Sequence, residues 1–210
     1  MTTEKRDFNK DAAAWDENPG RVKMAESVFK SLEDNLKFSE DMDVLDFGCG
    51  TGLLSLQILP LVHSVTGADS STGMLDVLNA KKKAMDLTML QTLYINIENG
   101  EKLSGSYDAV TSSMTMHHIE DPGSLIKQFN DIIKSGGSLC IADLDSDDGK
   151  FHDNKDGIFH EGFQRDEMKT LFINAGFTEI SDVTAAEISK QDADGKMNNF
   201  SIFLITGRKV

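Results

Sequence analysis

A short apolar segment that runs straight into a run of glycines constrains this chain more than any other feature. Asp43-Val-Leu-Asp-Phe47 reads as a buried strand, and Gly48-Cys-Gly-Thr-Gly52 follows at once. Beyond it, Leu53, Leu54, Leu56, Ile58 and Leu59 suit a helix packed on a sheet, which Pro60 ends or kinks. Strand, glycine turn and helix in succession open a parallel β-α unit, and such sheets bind ligands beyond the carboxyl ends of their strands. Glycines let the backbone approach a ligand and take up positive φ, while the following helix presents free N–H groups.

The alternation continues along the chain. Ser64–Ala68 is a second strand with Asp69 at its carboxyl end, and Ser71 caps a helix whose apolar face carries Met74, Leu75 and Leu78. Met89–Ile97, Tyr107–Ser112 and Ser138–Ala142 read as further strands. Asp121-Pro122 starts a helix that runs to about Lys134, and Gln164–Ala175 is a helix closed by Gly176. Ahead of the first strand, Val22, Ala25, Val28, Phe29, Leu32 and Leu36 form a helical stripe with Pro19 near its first turn. Phe177–Ser189 and Met197–Gly207 are strand-like and flank Asp194-Gly195, a hairpin signal. Five β-α units and a hairpin predict an α/β fold, doubly wound, with a mainly parallel seven-stranded sheet and a C-terminal antiparallel hairpin. No repeat or linker composition interrupts the 210 residues, so a single domain over 1–210 is expected. Within it, residues 1–40 form an N-terminal helical cap and 144–164 a lid loop.

Composition narrows the partners. The formal charge of −14 repels a phosphate backbone over a Debye length of about 8 Å and offers no counterion release, which argues against nucleic acid. No apolar run approaches the roughly 20 residues of a membrane helix, and the polar start of the chain lacks the apolar stretch of a secretory signal. Cys49 and Cys140 give no disulfide framework. A cytoplasmic protein acting on a small molecule is expected.

The glycine turn alone fits dinucleotides and methyl donors alike. The dinucleotide fingerprint G-x-G-x-x-G fails, because its last glycine would fall on Leu53, and no Gly-Lys-Ser/Thr follows to make a P-loop. Asp46, two residues ahead of the first glycine, would repel a pyrophosphate and attract an ammonium. Metal sites are not expected: neither Gly149 nor Gly195 sits in register for a calcium loop, and His152 and His160 lack zinc-like spacing.

Asp43-Val-Leu-Asp-Phe-Gly-Cys-Gly-Thr-Gly52 resembles the first motif of class I S-adenosylmethionine-dependent methyltransferases, a Rossmann-like family. Gly67-Ala-Asp-Ser-Ser-Thr-Gly-Met-Leu75 is similar to the family's second-strand motif. Tyr107–Ser113 with His117-His118-Ile119 resembles the fourth-strand motif, and Ile133–Asp143 the fifth. The resemblance covers nearly the whole chain and is nearest to the small-molecule group that includes ubiquinone and menaquinone methyltransferases. It implies S-adenosyl-L-methionine as cofactor and in-line methyl transfer to a small acceptor. It also implies roles: Asp46 engages the methionine amino group, directly or through water; Gly48, Cys49, Gly50 and Gly52 form the turn against the cofactor; Asp69, with Ser70 beside it, takes the ribose hydroxyls. Met74 lies on the adenine face, Asn96 and Ile97 meet the adenine edge, and Ser112 and Ser113 line the methionine arm. Asn96 stands where the family more often has Asp.

Each residue also has a plainer reading. Asp46 and Asp69 can cap helices, Met74 can be core, Asn96 a turn residue and Cys49 a small turn residue. His117 or His118, after the fourth strand, is a candidate base for an acceptor that must lose a proton, and His160 can reach the acceptor from the 144–164 loop; all three can equally be structural. Phe151, Phe159 and Phe163 are expected to cover the acceptor pocket, with the segment around Phe8 and Trp15 closing over the site. Two other functions fit the turn: a cofactor-binding regulator or cofactor-modifying protein without methyltransferase activity, and a nicotinamide oxidoreductase.

Overall fold

The computed structural model describes residues 7–147, 149–151, 155–191 and 197–210. In chain order they form α1 (Phe8–Asp11), α2 (Pro19–Asn35), β1 (Asp43–Phe47), α3 (Ser55–Ile58), β2 (Ser64–Asp69), α4 (Thr72–Ala84), β3 (Leu90–Tyr94), β4 (Tyr107–Ser113), α5 (Pro122–Ile132), β5 (Ile133–Leu144), α6 (Arg165–Asn174), β6 (Phe177–Gln191) and β7 (Met197–Lys209). The strands make one seven-stranded sheet in the order β3-β2-β1-β4-β5-β7-β6. All pairings are parallel except those of β7, which runs antiparallel to both β5 and β6. The doubly wound, mainly parallel sheet with its antiparallel hairpin is thus as the sequence pattern predicts.

Alternation along each strand feeds two cores. Val44 and Val65 face α2, α3 and α4 through Val28, Leu32, Ile58 and Leu78. Their neighbours Leu45, Val110 and Ile141 face α5 and α6 through Leu125, Phe129, Met168 and Phe172. Burial of both faces explains why the strands read as nearly continuous apolar runs. Asn18 caps α2 by accepting from the N–H groups of Gly20 and Arg21, with Pro19 preset for the first turn.

Four boundaries depart from the sequence pattern. The helix after the glycines is a single turn, because Pro60 has no N–H and the chain tightens into a 3-10 turn over Leu59–Leu61. β3 ends at Tyr94 rather than Ile97, since Asn96 accepts from Glu98 N–H and starts a 3-10 turn there. α5 stops at Ile132 and β5 begins at Ile133, whose partner across the sheet is Tyr107. β6 and β7 pair out to Gln191 and Met197; Asp194-Gly195 lies outside the described residues.

Strand order reverses between β1 and β4. The carboxyl ends of β2, β1 and β4 bring Asp69, the glycine turn and residues 113–118 around one crevice.

Candidate active site

Each glycine of the turn answers to a different neighbour. All three have positive φ, 72° at Gly48, 55° at Gly50 and 84° at Gly52. A Cβ on Gly48 would strike the Thr115 side chain at 2.1 Å, and one on Gly52 would strike Leu78 Cδ1 at 2.3 Å. Those two are glycines because protein packs against them. Gly50 differs: the nearest atom to its missing Cβ is Met74 Sδ, 4.0 Å away. Gly50 alone of the three would accept a Cβ without a clash, in ordinary contact with Met74, and in that sense its face is open; Met74 is 2% exposed yet part of neither core. Cys49 is buried with its sulfur toward Gly67, and burial pushes its thiol well above the usual range, so it is an inert packing residue.

Two carboxylates flank the turn. Asp46 is 1% exposed; Ser55 Oγ donates to its Oδ2 at 2.5 Å and Thr111 Oγ1 to its Oδ1 at 3.2 Å. Burial pushes its carboxyl up to about 6, against the lowering effect of the two hydroxyls and with a further push from Asp69. Asp69 Oδ2 accepts from Gly50 N–H at 2.8 Å and Oδ1 from Ser71 N–H at 2.8 Å. Its carboxyl too is raised by burial, opposed by N–H groups of Ser71, Gly50 and Ser70, while the Ser70 side lies exposed. No basic group is among the causes acting on either carboxyl.

Asn96 spends its Oδ1 on Glu98 N–H at 3.1 Å, and its own N–H goes to Glu101 at 2.7 Å, so it holds its own turn; Ile97 is half-buried beside it. Ser112, at the end of β4, is 2% exposed and its Oγ has no hydrogen-bond partner among the described residues. Ser113 is tied into the next turn, its carbonyl accepting from Thr115 Oγ1.

The three histidines part company. His117 is 1% exposed, with Nδ1 2.6 Å from Oδ1 of the fully buried Asp143. Asp143 also accepts from the N–H groups of Leu144 at 2.7 Å and His117 at 3.3 Å. Burial works against its charge, but the His117 ring and these donors hold its carboxyl below the ordinary range. His118 donates from Nδ1 to the Gly157 carbonyl at 2.8 Å, and its ring lies 4.2 Å from His117 and edge-on to Phe8 at 5.2 Å. His160 donates from Nε2 to the Ile119 carbonyl at 2.9 Å and rests on Phe163. The His117 carbonyl accepts from Phe159 and His160 N–H, which ties the loop after β5 to the turn after β4.

The three phenylalanines of that loop do not gather at one pocket. Phe151 packs edge-on to Phe200 in the core beneath α2, Phe163 joins the core beneath α5 and α6, and Phe159 stays exposed. His152 lies outside the described residues.

The sequence leads one to expect the segment around Phe8 and Trp15 to close over the site, but its patterns give no sign of the polar contacts that α1 and the turn after it make. Asn9 Oδ1 accepts from Gly73 N–H at 2.8 Å, Ser71 Oγ at 2.9 Å and Thr72 Oγ1 at 3.3 Å. Asp16 accepts from Thr51 Oγ1 at 2.5 Å and pairs with Lys81 Nζ at 2.5 Å; Lys81 also donates to the Thr51 carbonyl at 2.7 Å. Trp15 lies 6.0 Å from Phe8 and carries the Arg21 guanidinium on its face at 3.8 Å. Among the described residues, no group of three or more His, Cys, Asp or Glu is placed to hold a metal, and no helix is long and apolar enough to cross a membrane.

A seven-stranded sheet of this order, with a glycine turn and a carboxylate at the ends of its first two strands, defines the class I S-adenosylmethionine-dependent methyltransferase fold. Residues 21–182 match the family described as "Methyltransferase domain", and the chain belongs to it. It is 32% identical over 161 residues to an uncharacterized methyltransferase of Schizosaccharomyces pombe, covering 70% of this chain and 57% of that one. A ubiquinone biosynthesis O-methyltransferase of Colwellia psychrerythraea is 35% identical over 133 residues, 60% of this chain and 53% of that protein. The chain thus matches little more than half the length of these relatives. Among solved structures, phosphoethanolamine N-methyltransferase 2 of Haemonchus contortus, in complex with S-adenosyl-L-methionine, superposes with a TM-score of 0.71 at 14% identity, covering 98% of this chain and 60% of that one.

Proposed function

We propose that the chain is an S-adenosyl-L-methionine-dependent methyltransferase whose acceptor is a small organic molecule. The observation that carries this reading is a buried carboxylate, Asp46, and a half-buried one, Asp69, both raised by burial, beside the one turn glycine that would accept a Cβ without a clash. Charges buried without a cationic partner are costly, and a cationic ligand relieves that cost where an anionic dinucleotide adds to it. The buried Ser112 hydroxyl, without a hydrogen-bond partner among the described residues, fits a ligand at the strand ends.

When bound, the cofactor supplies a methyl group already activated on a sulfonium, so alignment and exclusion of water matter more than acid–base chemistry. Asp69, aimed by the N–H groups of Gly50 and Ser71, keeps acceptor capacity on both oxygens for the ribose hydroxyls, a bidentate task suited to a carboxylate. Asp46, with both oxygens held by Ser55 and Thr111, attracts the amino group of the methionine arm as a fixed charge behind the turn. Met74, buried at the start of α4 and outside both cores, would pack against the adenine. Asn96 and Ile97 flank its edge.

If the acceptor must lose a proton, His118 is the group to take it. With Nδ1–H given to the Gly157 carbonyl, the neutral ring carries its lone pair on Nε2. His117, bonded to Asp143, is 1% exposed, and His160 is bonded to the Ile119 carbonyl from the loop after β5, so half-buried His118 is the better placed. The similarity to ubiquinone biosynthesis O-methyltransferases supports small hydroxylated aromatics as the first acceptors to try.

Titration calorimetry with S-adenosylmethionine and S-adenosylhomocysteine, followed by labelled-methyl transfer to an acceptor library, tests the proposal. Binding of the nucleosides and transfer to a small acceptor are expected. Failure to bind either, or binding of NAD instead, overturns it.

A further inference from the structure

We infer that Asn9 and Asp16 are positioning residues of the cofactor site, and that the segment bearing them is a clasp that locks when the cofactor is in place. The inference rests on the methyltransferase reading. From Phe8 to Asp16 the segment touches residues beyond three different strands: His118 after β4, Ser71 and Gly73 after β2, and Thr51 after β1. A segment fastened to all three walls lies across the crevice they surround.

Each fastening leads to a residue of the site. Asn9 Oδ1 accepts three hydrogen bonds at the start of α4. One donor, Ser71, uses the same hydroxyl to cap Met74 N–H, while its backbone N–H donates to Asp69. Removing Asn9 therefore loosens the turn that aims the Asp69 carboxylate and the residue that seats Met74. Asp16 binds the Thr51 hydroxyl, and Lys81 closes the triangle by bonding both Asp16 and the Thr51 carbonyl. Thr51 sits between Gly50 and Gly52, so this triangle braces the open glycine. The fit at Gly73 is equally close: an added Cβ there would lie 2.8 Å from Asn9 Cα and 3.0 Å from its carbonyl oxygen.

Binding energy from a nucleoside that needs Asp69 and Gly50 in place is thereby shared with the clasp. By reciprocity of coupled equilibria, cofactor tightens the clasp and the clasp tightens cofactor.

The test uses Asn9→Ala, Asp16→Ala and Gly73→Ala in the full chain, with the exposed Glu17→Ala as control, each first shown to unfold cooperatively. Gly73→Ala leaves both polar side chains intact and displaces the segment by bulk alone, so it covers the case in which a polar variant misfolds. Affinity for S-adenosylhomocysteine is measured by calorimetry, and tryptic cleavage after Lys10 is timed with and without the nucleoside. About tenfold weaker binding in all three variants is expected, since each loses at least one net hydrogen bond or its equivalent. Saturating nucleoside should slow cleavage of the wild type and of Glu17→Ala, and should lose that effect in the other three. A purely structural role would leave cofactor-dependent protection unchanged. Wild-type binding that survives all three substitutions, or cleavage indifferent to the nucleoside, overturns the clasp alone. No binding by the wild type overturns the methyltransferase reading and the clasp with it.

Discussion

His117 Nδ1 and Asp143 Oδ1 lie 2.6 Å apart in a part of the molecule that water does not reach, one at the turn after β4 and the other at the end of β5. The pair joins the two strands on the far side of the switch point. It also supports the His117 carbonyl, on which the loop after β5 hangs through the N–H groups of Phe159 and His160.

His117→Ala should therefore cost about 3–5 kcal/mol, because it leaves a buried carboxylate without its ring partner. The Asp143 carboxyl is depressed in the folded state, so its contribution is present above the ordinary carboxylate range and is lost as pH falls through the depressed value. Urea unfolding of wild type and variant at pH 7 and across pH 5 to 3 checks both points. An unchanged midpoint in the variant would refute them.

Asp46 behaves in the opposite sense. Its folded carboxyl is raised to about 6, so the folded state holds a proton that the unfolded state releases, and stability is lost as pH climbs from about 4 to about 6. Asp46→Asn should stabilise the cofactor-free protein above pH 6 by up to about 3 kcal/mol and should weaken S-adenosylmethionine binding. Wild-type affinity for this cation should rise with pH through the same interval, and the variant should lose that rise. Melting curves and calorimetry at pH 5, 6 and 7.5 decide the matter.

The three turn glycines should separate into two kinds. Gly48→Ala and Gly52→Ala force a methyl group into Thr115 and Leu78 and should lower stability by several kcal/mol, as overpacking and left-handed strain combine. Gly50→Ala would place its methyl group in ordinary contact with Met74 and clash with nothing, so it should cost only about 1–2 kcal/mol from its positive φ. Its larger effect should fall on nucleoside affinity. Thermal melts paired with calorimetry distinguish the two patterns, and equal destabilisation by all three would contradict the assignment of Gly50 as the open face.

For an acceptor that loses a proton, His118→Ala should slow methyl transfer by about 10²–10⁴-fold at unchanged cofactor affinity. His160→Ala should act on stability instead, since it removes the loop's bond to Ile119. Single-turnover transfer of labelled methyl, compared across pH 6 to 9, separates the two.

Much of this architecture is legible in the chain. Strand periodicity, glycine placement, Pro19 near the first turn of α2, and the helix starts at Ser71 and Asp121 locate the sheet and most helices within a few residues. The main error falls where local chemistry competes, at Asn96, which turns the backbone early; Pro60 ends the helix after the glycines as its missing N–H predicts. The candidate site is legible only as far as its carboxylates and glycines. No pattern distinguishes Gly50 from Gly48, since the difference lies in Thr115, 67 residues from Gly48 along the chain. Asp143 as the partner of His117 is hidden for the same reason, and Asn9 and Asp16 lie in a stretch whose polar residues resemble any solvated surface.

The strand that closes the sheet also carries a message about assembly during synthesis. β7 sits between β5 and β6 although it follows both, so β6 has no place in the sheet until residues 197–209 have emerged. Until then β5, apolar from Leu139 to Ala142, presents an unpaired edge to any other nascent chain. A ribosome that stalls inside the last hairpin would thus leave a polypeptide with β1 to β5 assembled and a sticky border exposed.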